Sequence, residues 1–315
     1  MRAAAILGLG CQEKDLRPFR EGSSVEWVIG LPESSGEADV VLVLGGDGTI
    51  HRHLEALVKL GLPVLVVPRG SGNDFARALG LRRVRDSVAA WRRFVFSAGR
   101  IRTVDLGVIT PLGSDAACCV GPTNLGSNAA GCVVTDRSFQ RRETKYFCCV
   151  GGVGLDAEVA RRANQLPRWL RGLGGYALAL PPALARFAAL PMEISSAGTD
   201  HGDLTLRSSQ ATVLVAFANT PNYGGGMEIA PDAEMDDGRL DICLVTDVNR
   251  FKLFCLFPSV YFGKHLGLED VEYFRTTRLR IETKASLDVY ADGEFVCQTP
   301  VEVSIAAQVL RVITP

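Results

Sequence analysis

What these 315 residues lack narrows the field first. No uninterrupted apolar run approaches the roughly 18–20 residues that a membrane-spanning helix needs. The most apolar late window, "YALALPPALARFAALPM" (176–192), is broken by Pro181-Pro182 and by Arg186. The first residues, "MRAAAILGLGCQEKDL", carry a single arginine and a short apolar run before turning charged, so the long apolar core of a secretory signal is missing. The formal net charge is only -1, which supplies no basic field for nucleic acid. The nine cysteines are odd in number and contain no Cys-x-x-Cys pair, so neither a zinc site nor a disulfide framework is read from them. Buried reduced thiols in a cytoplasmic protein are the expectation. No internal repeat or low-complexity tract is present. What remains is a soluble, at most membrane-peripheral chain, whose 47% hydrophobic content suffices for two packed domains.

The positive signals begin at Val40–Val58, "VVLVLGGDGTIHRHLEALV". A fully apolar run enters Gly45-Gly46-Asp47-Gly48-Thr49, and Ile50, Leu54, Leu57 and Val58 follow at helical spacing. A second apolar run, Pro63–Val67, enters "RGSGND" and a helical pattern over Asp74–Leu79. Strands apolar on both faces belong to a parallel sheet covered by helices. Residues 1–103 are therefore expected to form an α/β domain of Rossmann-like type. After Ile101 the texture changes to short β-rich runs: "TVDLGVI", "KYFCCVGGVG", "ATVLVAFAN", "LDICLVT", "TRLRIETK", "LDVYADGE" and "VEVSIAA". Turn signals at Asp237-Gly238 and Asp292-Gly293 punctuate them. Residues 104–299 read as a β-rich sandwich domain, with an interdomain cleft and with the tail from about 300 to 315 returning to the first domain. A helical excursion near 156–190 is expected to be interrupted by its two prolines. Edge strands in such a domain would be available for pairing, so a homodimer is a possible partner state. "GPTNLGSNAAG" (121–131) is a polar loop without evident chemistry.

A glycine turn between a buried strand and a helix presents backbone N–H groups and the positive end of the helix dipole to an anion. "GGDGT" lacks the Gly-Lys-Ser/Thr of a Walker A loop and is not Gly-x-Gly-x-x-Gly. Asp47 would repel a bare phosphate; it fits either a metal-screened triphosphate, facing Mg²⁺ directly or through water, or a simple helix cap. The second turn offers Gly70, Ser71, Gly72, Asn73 and Asp74. Ser71 can donate to a phosphate oxygen, and Asn73 and Asp74 can cap the helix or orient groups across a crevice. Two such turns on neighbouring strands of one parallel sheet would converge.

The ordered set of motifs resembles the diacylglycerol kinase catalytic superfamily, which includes bacterial soluble lipid kinases and sphingosine kinases. GGDGT is followed by P-x-G-S-x-N-D-F-A; "FANTPNYGGGMEIAPDAEMDDGRLDICLV" (217–245), "ADGE" (291–294), "GVGLDAEV" (152–159) and "VDLG" (104–107) sit where the family has similar runs. The likeness spans about residues 38–310. GGDGT alone is shared with NAD kinases and phosphofructokinases, but an NAD kinase has no place for the "GGGMEIAPDA…DDG" segment.

That resemblance implies an ATP- and Mg²⁺-dependent kinase moving the γ-phosphoryl group to a lipid hydroxyl, diacylglycerol or alternatively a sphingoid base or other lipid alcohol. Gly45, Gly46, Asp47, Gly48, Thr49, Ile50, His51, Gly70, Ser71, Asn73 and Asp74 would serve the nucleotide. Glu294 would accept the alcohol proton, with Asp47 and Asp105 in the Mg²⁺-linked acidic network. Asp237, with the backbone carbonyls of Glu234 and Arg239, would hold a structural Mg²⁺; an Asp-Asp-Gly hairpin turn without metal is the alternative. Glu158 aligns with an acidic residue that some sphingosine kinases use on the lipid head group. "VNRFKLFCLFPSVYFGKHL" (248–266) reads either as a basic-flanked aromatic membrane contact or as a helix packed on a sheet. The location implied is cytoplasmic and peripheral to a membrane, in lipid or phospholipid metabolism.

Two departures from the family fall near the nucleotide. The usual first turn, Asn-Pro-x-Ser-Gly, is absent, and Gly8, Gly10 and Cys11 stand at the end of the first strand instead. His51-Arg52 replaces the usual Asn-Glu. The shortened N-terminal part motivates a reading of another class, a catalytically silent sensor of nucleotide or lipid, against which the retention of Asp47 and Glu294 speaks.

Overall fold

The computed structural model describes residues 1–113 apart from 23 and 98, then 144–167, 175–198, 202–246, 248, 252, 259–260 and 262–315. The loop 121–131 and most of the 248–266 aromatic stretch lie outside these residues. Among the described residues no helix is long and apolar enough to cross a membrane.

The N-terminal unit runs β1 (Arg2–Leu7), α1 (Arg17–Arg20), β2 (Glu26–Ile29), β3 (Val40–Gly45), α2 (Asp47–Leu60), β4 (Val64–Pro68), α3 (Asp74–Ala78), α4 (Val84–Phe96) and β5 (Arg100–Pro111). Strands β2, β1, β3 and β4 pair in that order and are parallel. Every residue of β3 and β4 is buried, because helices cover both faces of the sheet. Ile50, Leu54 and Leu57 form the inward stripe of α2, and Gly61 ends that helix in the left-handed conformation. On α4, Ala90 and Trp91 are buried, and the Trp91 indole N–H donates to the Phe19 carbonyl of α1 (2.8 Å). Neither α4 nor β2 was evident from periodicity.

The C-terminal unit is β-rich, with β6 (Lys145–Phe147), β7 (Val150–Gly154), α5 (Leu155–Gln165), α6 (Gly175–Arg186), β8 (Leu190–Ala197), β9 (Thr205–Ser208), β10 (Ala211–Ala218) and β11 (Leu240–Thr246). It continues through β12 (Val271–Thr276), β13 (Arg278–Thr283), β14 (Asp288–Ala291), β15 (Glu294–Gln298) and β16 (Val301–Thr314). One layer orders β15-β14-β7-β10-β11-β12, antiparallel throughout. The other places β9, β8, β13, β16, β5 and β6 side by side, also antiparallel. Phe147, Val153, Phe217, Ile242, Ile281 and Val303 meet between the layers in a shared core.

One expectation is corrected. Helix α6 runs through Pro181-Pro182 rather than breaking there; each proline removes one backbone donor, but the helix goes on, with Ala183 and Leu184 buried beyond them. The β-rich run "KYFCCVGGVG" forms two strands, β6 and β7, where the Cys148 and Cys149 amides turn onto the carboxylate of Asp292.

A long ribbon joins the two units. β5 and β16 pair from Arg100–Thr314 at one end to Pro111–Val301 at the other, with a register shift between Ala306 and Leu310. Val312 of β16 also pairs in parallel with Val64 of β4, so the last strand extends the first sheet. A boundary at residues 103/104 falls inside β5.

Candidate active site

The two glycine turns meet backbone to backbone. Gly45 and Pro68 are partners at the ends of β3 and β4, and the Arg69 N–H donates to the Gly45 carbonyl (2.9 Å). A Cβ on Gly46 would stand 2.8 Å from Gly70 Cα, and one on Gly70 would collide with Gly46 Cα. Only glycine permits that approach. The Thr49 side chain packs onto the end of β1: a Cβ at Gly8 would come within 2.6 Å of its Oγ1. Asn73, at φ 55°, locks the second turn through a closed pair of bonds. Its Nδ2 donates to the Gly70 carbonyl and its Oδ1 accepts from the Gly70 N–H, both at 2.7 Å.

Asp47 caps a helix, but not its own. Its two oxygens accept the N–H groups of Asp74 and Phe75 at 3.1 Å each, the first turn of α3. Asp74 is buried; its Oδ1 accepts from Arg77 (2.7 Å) and its Oδ2 from the Gly225 N–H (3.0 Å), a bond between the two units. A Cβ on Gly72 would lie 2.9 Å from Asp47 Oδ2 and 3.4 Å from Asp74 Oδ2, so both carboxylates face one spot. Burial, then the charge of Asp74, push Asp47 up to about 6 against the pull of the two amides. Burial also raises Asp74, opposed by Gly225 and Arg77. Two crowded carboxylates with oxygen donors and surplus negative charge suit a hard divalent cation.

The facing wall is the β14–β15 hairpin. Asp292 and Gly293 both have positive φ (50° and 82°), as a two-residue turn requires. Glu294, the first residue past that turn, reaches across so that a Cβ on Gly48 would lie 2.7 Å from its Oε1. The Asn164 side chain of α5 donates to the Gly293 carbonyl (2.7 Å) and steadies the turn. Between the walls is a cleft of about 480 Å³ whose lining includes Asp47, Ser71, Asp74, Tyr223, Asp292 and Glu294. Asp292 sits in the "ADGE" segment, where the sequence reads only a turn. Its carboxylate accepts the N–H groups of Cys148 (2.9 Å) and Cys149 (2.8 Å) and meets His51 Nδ1 at 3.1 Å. Tyr223 lines the cleft and the Gly225 N–H reaches Asp74 of α3, although the sequence gives no sign that this glycine loop reaches that helix.

Other expected residues stand elsewhere. Ile50 is a core side chain of α2. His51 turns to Asp292, not into the cleft. Asp105 is fully buried and does not line the cleft: its oxygens accept the Gly238 N–H (2.7 Å) and the Gln308 N–H (2.6 Å), clamping β5 to the 236–239 turn and to the irregularity in β16. Asp237 accepts from the Arg239 N–H (3.0 Å) and lies 3.9 Å from the Arg275 guanidinium. Glu158 pairs with Arg161 (2.8 Å) and Arg162 (2.6 Å), which hold its carboxyl below the usual range. It lines a separate pocket of about 420 Å³ with Ala183, Phe187, Leu190 and Leu287. Phe262, from the aromatic stretch, is 70% exposed. Among the described residues the only close trio of side-chain metal-ligand atoms is Cys148, Cys149 and Asp292. Burial pushes the Cys148 thiol up and Cys149 up to about 12, so both remain protonated and suit no hard cation.

Comparison with known proteins converges on the same segments. The family model of the diacylglycerol kinase catalytic domain matches residues 20–109, and that of the YegS C-terminal NAD kinase beta sandwich-like domain matches residues 150–314. A protein named diacylglycerol kinase from Mycobacterium tuberculosis is 33% identical over 279 residues, covering 88% of this chain and 77% of that one. The diacylglycerol kinase of Bacillus subtilis is 24% identical over 282 residues, covering 89% and 78%. A crystal structure of a diacylglycerol kinase from Bacillus anthracis superposes with a TM-score of 0.64 at 16% identity, covering 100% of this chain and 96% of the other. That last likeness concerns the fold.

Proposed function

The chain belongs to the diacylglycerol kinase catalytic family and is a lipid kinase, and from that premise we propose that it transfers the γ-phosphoryl group of Mg-ATP to the hydroxyl of a diacylglycerol-like lipid. The observation that carries this reading is the meeting, in one cleft, of Glu294 with the two glycine turns and the Asp47–Asp74 pair. The backbone around Gly46, Gly48 and Gly70, the Ser71 hydroxyl and the start of α2 form a cradle for phosphate oxygens. Asp47 and Asp74 are the residues that would hold Mg²⁺. Bound Mg-ATP supplies the phosphoryl group and offsets its charge; positioning is most of the remaining catalysis. Glu294 takes the proton from the attacking hydroxyl, a task that needs a carboxylate within hydrogen-bond reach.

The lipid reaches the cleft from the C-terminal unit. Helix α5 begins at the pocket of Glu158 and ends at the cleft, where Ala163 and Asn164 contribute to the lining. The pocket's apolar side chains suit hydrocarbon. Arg161 and Arg162 already balance Glu158, which favours an uncharged glyceride head group over the amine of a sphingoid base. The enzyme would act at the surface of the cytoplasmic membrane leaflet. We assign Asp237, with the Glu234 and Arg239 carbonyls, to a second, structural Mg²⁺; a Mg²⁺-induced rise in Tm that Asp237→Asn abolishes tests it.

The deciding assay is Mg²⁺-dependent transfer of labelled γ-phosphate to diacylglycerol and sphingosine in mixed micelles. Glu294→Gln should lower kcat by about 10²–10⁴-fold with ATP binding retained. Undiminished transfer in that variant removes Glu294 from the role of base. Absence of transfer to any lipid alcohol, together with ATP binding, would make the chain a sensor.

A further inference from the structure

His51 lies two residues past the Gly45–Thr49 turn, and the structure gives its side chain a task. The ring leaves α2 toward the C-terminal unit, with 14% of its side chain exposed, and meets an Asp292 carboxylate that is 0% exposed. Asp292 opens the two-residue turn whose far side is Glu294. The same carboxylate is fixed from behind by the Cys148 and Cys149 amides. Helix α2, the β6–β7 bend and the β14–β15 hairpin are thus tied at one anion, and His51 is the α2 member of the tie.

We propose that His51 is a positioning residue for phosphoryl transfer, holding Asp292 so that the Asp292–Gly293–Glu294 turn keeps the Glu294 carboxylate over the start of α2. This rests on the reading of Glu294 as the proton acceptor. An imidazolium and a carboxylate form a charge-assisted bond, roughly twice as strong as the bond a neutral ring would make. The groups facing the ring are Asp292 and Glu294 on the hairpin and Lys145 on β6. Burial disfavours the charged ring and Lys145 opposes it, but Asp292 and Glu294 prevail and carry the ring above its ordinary value near 6.5. The hold is therefore strongest in the charged form and weakens as the pH rises through the shifted value. An asparagine here can hydrogen-bond the same carboxylate but cannot titrate.

The test is a pH series of kcat and of KM for ATP in wild type, His51→Asn and Asp292→Asn, with the His51 imidazole followed by NMR in parallel. Wild type should show an alkaline limb in which kcat falls about tenfold while KM for ATP stays level. His51→Asn should lack that limb and sit near the wild-type alkaline plateau at every pH above the titration of Glu294. Identical profiles in wild type and His51→Asn, or an effect confined to KM for ATP, would overturn the proposal. The NMR arm stands when a variant does not fold: in wild type His51 must titrate above 6.5, and titration at or below that value refutes the hold. If wild type transfers phosphate to no lipid alcohol, the reading of Glu294 fails, and the titration still decides whether His51 is paired as an ion.

Discussion

Replacing Asp47 by asparagine should stabilise the protein while ending catalysis. In the folded chain this carboxyl is pushed up from 3.8 to about 6, first by burial and then by Asp74. A carboxyl raised on folding binds protons more tightly in the folded state, so stability is greatest at low pH and falls as the pH rises toward and through about 6. Ionising Asp47 in place costs at most ~3 kcal/mol, of which about 1.4 kcal/mol is lost between pH 5 and pH 7.5. Solvent in the open cleft trims both figures. Asparagine has no charge to bury, but one of the two α3 amides loses its acceptor, which takes back roughly 1 kcal/mol. The net gain is about 2 kcal/mol at pH 7.5 and about 0.6 kcal/mol at pH 5, the larger figure corresponding to roughly 4–8 °C in Tm. Thermal unfolding of both proteins at the two pH values, without Mg²⁺ or ATP, measures it. Adding Mg-ATP should raise the wild-type Tm far more than that of the variant, since the cation relieves the same crowding. A Tm difference equal at both pH values, or an asparagine variant less stable at pH 7.5, would refute the argument that Asp47 is held at a cost.

Further outcomes follow from the same geometry. Gly70→Ala forces a Cβ onto Gly46 Cα and should cost about 1–3 kcal/mol while raising the ATP dissociation constant, read by Tm and calorimetry. Asp105→Ala strips the acceptor from the Gly238 and Gln308 amides and should destabilise by about 2–4 kcal/mol in urea, with KM for ATP unchanged in the folded fraction. Gly107→Ala drives a methyl into the Phe147 ring and should lower Tm or prevent accumulation of folded protein, whereas Val108→Ala should not.

The N-terminal unit was legible because its signals are local. An apolar strand, a glycine turn and a helix stripe fall within a few residues, and the turns met as the parallel order of β3 and β4 dictates. The chemistry of single carboxylates was less legible, because it depends on what the other end of the chain brings. Asp47 stands where a cap for α2 would stand yet caps α3, which no spacing rule reveals. Asp105 has the residue type of a metal network, yet its oxygens are taken by amides 133 and 203 residues away. Asp292 was hidden in plain view: a turn aspartate reads as solvated until the Cys148–Cys149 bend is folded onto it. The prolines of α6 misled for a different reason, since a helix packed on its neighbour tolerates missing donors that an isolated one would not.

The β5–β16 ribbon also governs how this protein can be recombined with its relatives. A single crossover near residue 103, the natural choice if the chain were two beads on a string, would cut β5 itself and leave Arg100–Thr103 facing Arg311–Thr314 of the other parent. It would also set a foreign Val312 against β4. A workable hybrid must instead take both ribbon strands from one parent and replace what lies between them, with one junction after Pro111 and another before Val301. The segment between Pro111 and Val301 can then be exchanged as one piece, by insertion into an intact ribbon rather than by splicing end to end.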